Sequence, residues 1–444
     1  MYRVSIFGLG YVGTVFAACL ASRGIKVIGV DVVEEKVKTI NSGKAPFYEP
    51  GLSELIEKSV KQGFLEATTD YIKAVTSTDI SVIFVGTPSK PDGSADLKYV
   101  ESAAKMIGEG LKKKKTWHLI VVRSTVPPGT TEGVVKPTVE KVSGKKAGED
   151  FGLCMNPEFT KEGSAVHDTF YPSRIVIGEY DKKSGDTLEE LYRKFHENKL
   201  PPILRTNIIN AELIKYASNA FLATKISFIN TIANICQKTP GADVNEVAKG
   251  MGLDPRISPL FLRAGLGFGG SCFPKDLKAL IAYAKKLGYT PILLEAVLKV
   301  NEEQPLKAVE LAKQALRTLK GKNIAVLGLA FKPGTDDIRE AVSLKIIEAL
   351  LEEGAQVVAH DPKAMENTRK ILGNKIKYAE TPLECIKDAD CAIIVTEWPQ
   401  FKQLKPSDYE KYMKTPVVID GRRLYSLQEF KNTKVVYKAV GLGT

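Results

Sequence analysis

The 444-residue chain is poor in the residues that hold metals and cross-link secreted proteins. It has four histidines and six cysteines (Cys19, Cys154, Cys236, Cys272, Cys385 and Cys391), and no two cysteines form a C-x-x-C pair. Without clustered ligands no zinc site is expected, and a disulfide framework is not expected in a chain this long. No apolar run approaches the ~18 residues that span a bilayer. The first residues read as a strand rather than a charged leader with a cleavage site. The expectation is a cytoplasmic protein with no membrane or metal partner. Acidic residues are also short, 52 Asp and Glu against 63 Lys and Arg, giving a net charge of +11. Such an excess suits nucleic acid or an anionic small molecule. The densest basic run, Lys112-Lys113-Lys114-Lys115, reads as a solvated loop after a helix. No zinc finger, basic zipper or RNA-binding signature accompanies it, so nucleic acid is not the expected partner.

What is present is ordinary for a globular enzyme, 44% apolar and 26% charged residues. At ~150 residues per domain, two or three domains are expected. Apolar runs predict strands at 3–8, 26–31, 80–85, 119–123, 151–155 and 174–177, several of them separated by helical segments. That alternation argues for a parallel doubly wound α/β sheet. From about Asn207 to Lys238, Ala211, Ile214, Ala217, Phe221, Phe228, Ile232 and Ile235 recur near helical spacing with no proline until Pro240. They predict one long helix, apolar on much of its circumference, of the kind that buries itself between domains or subunits. Strand signals return at 323–328, 356–360, 391–395 and 417–420. The expected architecture is two Rossmann-like doubly wound domains joined by a long central helix. Its segments are a dinucleotide-binding domain over 1–206, a helical dimerisation region carrying a cysteine loop over 207–310, and a second Rossmann-like domain over 311–444.

Gly8-Leu9-Gly10-Tyr11-Val12-Gly13 is G-x-G-x-x-G directly after a strand and opening a helix. The glycines let the backbone turn tightly and approach a pyrophosphate at the helix N-terminus. Asp31 ends the next strand, 23 residues after Gly8. A carboxylate there accepts from ribose hydroxyls and repels a 2′-phosphate, which selects NAD over NADP. The later turn, Gly328-Leu329-Ala330-Phe331-Lys332-Pro333-Gly334, lacks the third glycine and makes a poor second NAD site. Lys332 there is read either as a ligand contact at a strand's carboxyl end or as a solvated loop lysine.

Cys272 follows the glycine-rich run Gly265–Gly270, and Pro274 suits the first position of a helix. A thiol beside unpaired helix N–H groups is favoured as thiolate and can bond to a carbonyl carbon. Most other cysteines sit in apolar patterns and are read as core. Asn156 and Pro157 predict a helix start, which sets Glu158 and Glu162 on one face. Such a pair either activates and orients water or is two surface glutamates favoured by the helix N-terminus. Lys215 and Asn219, four apart on the long helix, either polarise a carbonyl or leave the lysine snorkelling to solvent. Cys272 and Asp276 form a third such pair, with Asp276 able to relay protons.

Together with Tyr48-Glu49-Pro50-Gly51-Leu52, Val85-Gly86-Thr87-Pro88, Ser124-Thr125-Val126-Pro127, Asn156–Gly163, Gly269–Asp276, Phe331–Asp337 and Asp420-Gly421-Arg422, these motifs run through the chain in one order. The chain resembles the UDP-glucose/GDP-mannose dehydrogenase family. The resemblance implies a four-electron, NAD-dependent oxidation of UDP-glucose to UDP-glucuronate through a Cys272 thiohemiacetal and thioester. It implies that Lys215 and Asn219 stabilise oxyanions, that Asp276 assists proton transfer, and that Glu158 serves hydrolysis with Thr125 near the reacting water. It assigns cofactor contacts to Gly8, Gly10, Tyr11, Val12, Gly13, Asp31, Lys36, Thr87, Thr125, Glu162, Lys275 and Arg339. It assigns substrate contacts to Glu158, Phe159, Lys215, Asn219, Phe261, Gly267, Phe268, Gly269, Phe331, Lys332 and Arg422. Arg256 resembles an arginine that reaches a neighbouring subunit, implying a homodimer or larger homo-oligomer. Ala341 stands where a serine is commoner in the family.

Three other readings remain at this point. The substrate is another nucleotide sugar, GDP-mannose or a UDP-N-acetylhexosamine. Alternatively the chain is a two-electron alcohol or hydroxyacid dehydrogenase in which Cys272 is structural. The net charge motivates a third, a nucleic-acid-binding scaffold, which the dispersed lysines oppose.

Overall fold

Short runs of Val, Ile, Leu and Ala, too apolar to leave a face in water, become strands covered on both sides. The structure, a computed structural model, describes residues 2–197 and 199–443. It divides into two units, Met1–Ser218 and Asn219–Thr444.

The first unit contains β1 (Val4–Phe7), β2 (Val27–Val30), β3 (Leu65–Thr68), β4 (Ile80–Ile83), β5 (His118–Val122), β6 (Phe151–Met155), β7 (Ile175–Glu179) and β8 (Ile203–Thr206). They lie in the order β3-β2-β1-β4-β5-β6-β7-β8. The chain winds outward from β1 to β3, then returns to β4 on the other side, so the strand order reverses between β1 and β4. Alternation along each strand divides the core in two. Val4, Ile6, Ile80, Val82, Leu119 and Val121 face one cluster. Phe7, Ile83, Ile120 and Val122 face the other.

The sheet is parallel except where β7 runs antiparallel to β6, pairing Cys154 with Glu179 and Met155 with Gly178. A wholly parallel sheet was the expectation. A parallel return needs a crossover of a dozen residues or more, commonly a helix, and the only helix in this connection is the six-residue Ala165–Phe170.

The second unit contains β9 (Asn323–Leu327), β10 (Gln356–His360), β11 (Lys377–Tyr378), β12 (Cys391–Ile394), β13 (Val417–Asp420) and β14 (Val436–Ala439). Their order, β11-β10-β9-β12-β13-β14, repeats the arrangement of the first six strands, with every neighbouring pair parallel. Doubly wound α/β architecture thus holds in both units. The long helix spans Ile208–Gln237, and the division between the units falls within it. In its second-unit part Ala220, Ala223, Ile229, Ala233 and Cys236 are buried, whereas Phe221, Phe228 and Ile235 are exposed. Among the described residues no helix is long and apolar enough to cross a membrane.

Lys114 departs from the solvated loop expected of its run. It is buried, and its ammonium donates to the Val75 carbonyl (3.2 Å) and to that of Thr78, and lies 3.1 Å from His118 Nδ1. Val75 and Thr78 end the Tyr71–Ser77 helix, where last-turn carbonyls lack partners and favour a cation.

Candidate functional site

The glycine turn after β1 is built for close approach. Gly8 has φ +100°, and a Cβ added there would stand 2.7 Å from the Phe84 carbonyl oxygen; at Gly13 it would stand 2.0 Å from that of Gly8. Side chains are excluded at both positions, and around the ideal Cβ of Gly10 nothing lies within 4 Å. The Tyr11–Ser22 helix starts here with Gly10 as its N-cap and no side chain capping it. Its first N–H groups therefore suit an anion.

Asp31, buried at the end of β2, accepts from Leu9 N–H (2.9 Å) and Val33 N–H (3.0 Å), with the Lys36 ammonium at 3.4 Å. A carboxylate offers about four lone-pair sites, so this one can still accept from a ribose. These residues fit the pyrophosphate and adenosine ribose of NAD. Thr87 and Thr125, after β4 and β5, meet directly, the Thr87 hydroxyl donating to the Thr125 carbonyl at 2.8 Å.

Glu212 on the long helix is a residue the sequence reading missed. It is buried and accepts from Gly129 N–H (2.5 Å) and Thr131 N–H (2.8 Å), which fixes the loop carrying Thr125. Burial pushes its carboxyl up to about 7, against the pull of those bonds. Nothing in the sequence but an acid within an apolar helical pattern pointed to it.

Residues 156–163 are not helical, contrary to the expectation from Asn156 and Pro157; the helix begins at Ala165. The capping groups are engaged elsewhere. Asn156 Nδ2 donates to the Val176 carbonyl (2.7 Å), and its Oδ1 accepts from Arg123 and from the Tyr192 hydroxyl (2.6 Å). Glu158 Oε2 takes the Thr160 N–H (2.7 Å) and hydroxyl (2.6 Å), closing a local turn in place of a helical one. Glu158 and Glu162 therefore do not share a helix face; Glu158 is buried and Glu162 half-buried. Glu158 Oε1 accepts from Lys215 Nζ at 2.9 Å, and Lys215 is also buried, not snorkelling. Burial pushes the Glu158 carboxyl up, but Lys215 and Thr160 outweigh it and hold the group below the usual range. Phe159 stacks under Arg174, 3.8 Å from its ring centre, with the Lys215 ammonium at 5.5 Å.

In the second unit Cys272 is the N-cap of the Phe273–Lys286 helix, so Pro274 takes its second rather than first position. Cys272 is exposed, with Ser271 Oγ at 3.7 Å. The other five cysteines are buried, and burial pushes each thiol up, away from reactivity. Asp276 is buried between Asn219 Nδ2 (2.6 Å) and Lys275 Nζ (2.5 Å).

The loop before Cys272 is held by amides the sequence reading did not single out. Asn301 exchanges two hydrogen bonds with the Phe268 backbone (2.7 and 2.9 Å), and Asn230 and Gln304 hold Gly265 (both 2.8 Å). Phe268 and Phe261 flank Phe273 at 5.9 and 6.3 Å. The chain returns to this loop at Arg422, which is pinned between the Val395 carbonyl (2.6 Å) and the Gly267 carbonyl (3.2 Å). Gly270 N–H donates to the Arg339 carbonyl at 2.9 Å; next to Gly270 is Gly269. The Lys332 ammonium lies 5.4 Å from its neighbour Phe331's ring centre. Arg256 and Arg339 point into solvent, bound to Asp254 and Asp337 (both 2.6 Å).

The turn after β9 copies the first one without its opening for a ribose. Asp361, at the end of β10, is fully buried. It accepts from Leu329 N–H (2.7 Å), Ala330 N–H (3.0 Å), Trp398 Nε1–H (3.0 Å), Lys363 N–H and Ala364 N–H (both 2.8 Å). Five donors saturate the carboxylate.

Three family models match in succession: the NAD binding domain of the UDP-glucose/GDP-mannose dehydrogenase family over residues 2–196, its central domain over 209–303, and its UDP binding domain over 325–427. The chain is 46% identical over 441 residues to the UDP-glucose 6-dehydrogenase TuaD of Bacillus subtilis, covering 99% of this chain and 93% of that protein. It is 46% identical over 428 residues to the UDP-glucose 6-dehydrogenase AglM of Haloferax volcanii, covering 96% and 98%. A solved structure of a UDP-glucose dehydrogenase from the hyperthermophilic archaeon Pyrobaculum islandicum superposes with a TM-score of 0.92 at 44% identity, covering 100% of this chain and 98% of that one.

Proposed function

We propose, since the chain belongs to the UDP-glucose/GDP-mannose dehydrogenase family, that it oxidises UDP-glucose to UDP-glucuronate with NAD. One observation carries the reading to chemistry: the single exposed thiol among the six cysteines, Cys272, begins a helix in a chain that also builds a dinucleotide turn.

NAD, when bound, accepts a hydride from the sugar C6. Gly8, Gly10 and Gly13 would admit its pyrophosphate and Asp31 its ribose, while Tyr11, Val12, Lys36, Thr87, Thr125, Glu162, Lys275 and Arg339 would complete its contacts. After the first oxidation the Cys272 sulfur adds to the C6 aldehyde, and Lys215 and Asn219 stabilise the oxygen of the thiohemiacetal. Loss of a second hydride, to a second NAD, and of the hydroxyl proton leaves a thioester on Cys272; its thiolate leaves readily, whereas an aldehyde hydrate would offer no covalent hold. Glu158, ionised near neutrality, takes a proton from water near Thr125. The resulting hydroxide adds to the carbonyl, the C–S bond breaks, and Asp276 relays the proton Cys272 exchanges. Two hydrides taken up by two NAD, the oxygen of one water and three protons released to solvent account for the conversion of alcohol to carboxylate.

The nucleotide sugar is held by the loop of Phe261, Gly267, Phe268 and Gly269, and by Phe331, Lys332 and Arg422, with Glu158 and Phe159 at the sugar. Arg256 completes the site of a second copy in a homodimer or larger assembly. Its outward side chain supports this, as do Phe221, Phe228 and Ile235, exposed at seven-residue spacing along one helix. The working segments are 1–206 for cofactor, 207–310 for the cysteine loop and assembly, and 311–444 for the nucleotide.

Counting NADH against sugar consumed tests the reaction, with UDP-glucose, GDP-mannose and a UDP-N-acetylhexosamine offered separately. Two NADH per UDP-glucose, a uronic acid product and loss of turnover in Cys272→Ala are expected. One NADH per sugar, with Cys272→Ser unaffected, would overturn it.

A further inference from the structure

Glu49 precedes the Leu52–Lys61 helix and is only 4% exposed. A buried carboxylate persists only where donors surround it, and these come from two separate segments. The Tyr11 hydroxyl donates to Oε2. Gly163 N–H donates to the same oxygen at 2.8 Å, and Ala165 N–H to Oε1 at 2.7 Å, with Val166 N–H at 3.4 Å. Gly163 N–H also reaches the Tyr11 hydroxyl at 3.0 Å, and the Tyr11 ring stacks on Phe47 with centres 4.5 Å apart.

The two segments have different tasks. Tyr11 is the first residue of the helix that opens at the glycine turn. Gly163 directly follows Glu162 and ends the stretch that carries Glu158. That stretch is fixed at its other end by Asn156, through Val176, Arg123 and Tyr192. One anchor is therefore the sheet, and the other is the cofactor turn.

We infer that Glu49 is a positioning residue that links occupancy of the glycine turn to the placement of Glu158 and Glu162. The link rests on the NAD site of the reading above. Charge-assisted bonds from a tyrosine and two backbone amides make a stiff joint. An anion seated at the helix N-terminus fixes Tyr11, Tyr11 fixes Glu49, and Glu49 fixes Gly163 and Ala165.

Hydrogen exchange read by mass spectrometry on the full chain, with and without NAD and with no sugar present, tests this apart from turnover. In wild type, NAD should slow exchange across residues 158–166 by at least about threefold. Tyr11→Phe removes one hydroxyl and leaves the fold intact; it should abolish that protection, as should Glu49→Gln. Calorimetric Kd for NAD should weaken about tenfold in Glu49→Gln, the loss of one charge-assisted bond. NAD binding by wild type without protection at 158–166, or full protection in Tyr11→Phe, would sink the link alone. No NAD binding by wild type would sink the reading above and the link with it.

Discussion

The Lys215 ammonium stands 2.9 Å from Glu158 Oε1, and both side chains are buried. Burial pushes this carboxyl up, and the ammonium and Thr160 outweigh it and hold it below its ordinary range. Because the folded value lies below the ordinary one, the carboxylate's contribution to stability is present above about 4.5 and lost as pH falls through the folded value. Lys215→Ala removes the main opposing charge. Its residual activity should lose about 100-fold or more, and the acid limb of its pH–rate profile should move to higher pH. An unmoved limb in the variant would separate Glu158 from the base role.

In the proposed cofactor site Asp31 would carry the choice between NAD and NADP. Asp31→Asn keeps the shape and removes the charge that repels a 2′-phosphate. The ratio of kcat/KM for NAD over NADP should fall by about tenfold or more, measured by NADH and NADPH formation at fixed UDP-glucose. A ratio unchanged within error would mean that another group sets the preference.

Glu212 gives a stability dependence of the opposite sense to Glu158. Its folded value, about 7, lies above the ordinary 4.5, so its contribution is complete below 4.5 and is lost as pH rises through about 7. Thermal unfolding between pH 5 and 8.5 should show a decline with rising pH that is flatter in Glu212→Gln than in wild type. Equal slopes would exclude the assignment.

Lys114→Met tests the buried ammonium at the end of the Tyr71–Ser77 helix. The methionine fills the space but leaves the Val75 and Thr78 carbonyls without their donor, a loss of about 2 kcal/mol. Denaturant titration should show the loss while NADH formation at room temperature is preserved. Full stability in the variant would mean that water replaces the ammonium.

The strands that could be read directly were those with both faces buried, such as β6 and β13, whose ends match the apolar runs. Two edge-region strands of the first sheet escaped. β3 alternates buried with exposed residues and β8 is half-exposed, so neither makes a continuous apolar run. The glycine turn and Asp31 were legible because backbone demands dictate their residue types. Asn156 misled because its amide serves the sheet rather than a helix end, and sequence shows the capping residue but not its partners. Lys114 misled for the same reason: the carbonyls it serves lie 36 and 39 residues away. Asn230, Asn301 and Gln304 hold the loop before Cys272 from distant helices, and their residue types alone carry no signal of that task.

Asp361 has one consequence that concerns time rather than space. Its lone pairs are taken by five donors from its own domain, so the second sheet keeps the frame of a dinucleotide fold but offers no carboxylate to a ribose. In the proposed reaction the turn at Gly8–Gly13 would then dock each NAD that carries a hydride away. An alcohol that becomes a carboxylate gives up two, so the spent carrier must depart and a fresh one arrive halfway through. During that interval a reactive aldehyde would be free to diffuse away. The covalent bond proposed for Cys272 would turn that pause into a wait on the enzyme, so that the sugar leaves only once the conversion is complete.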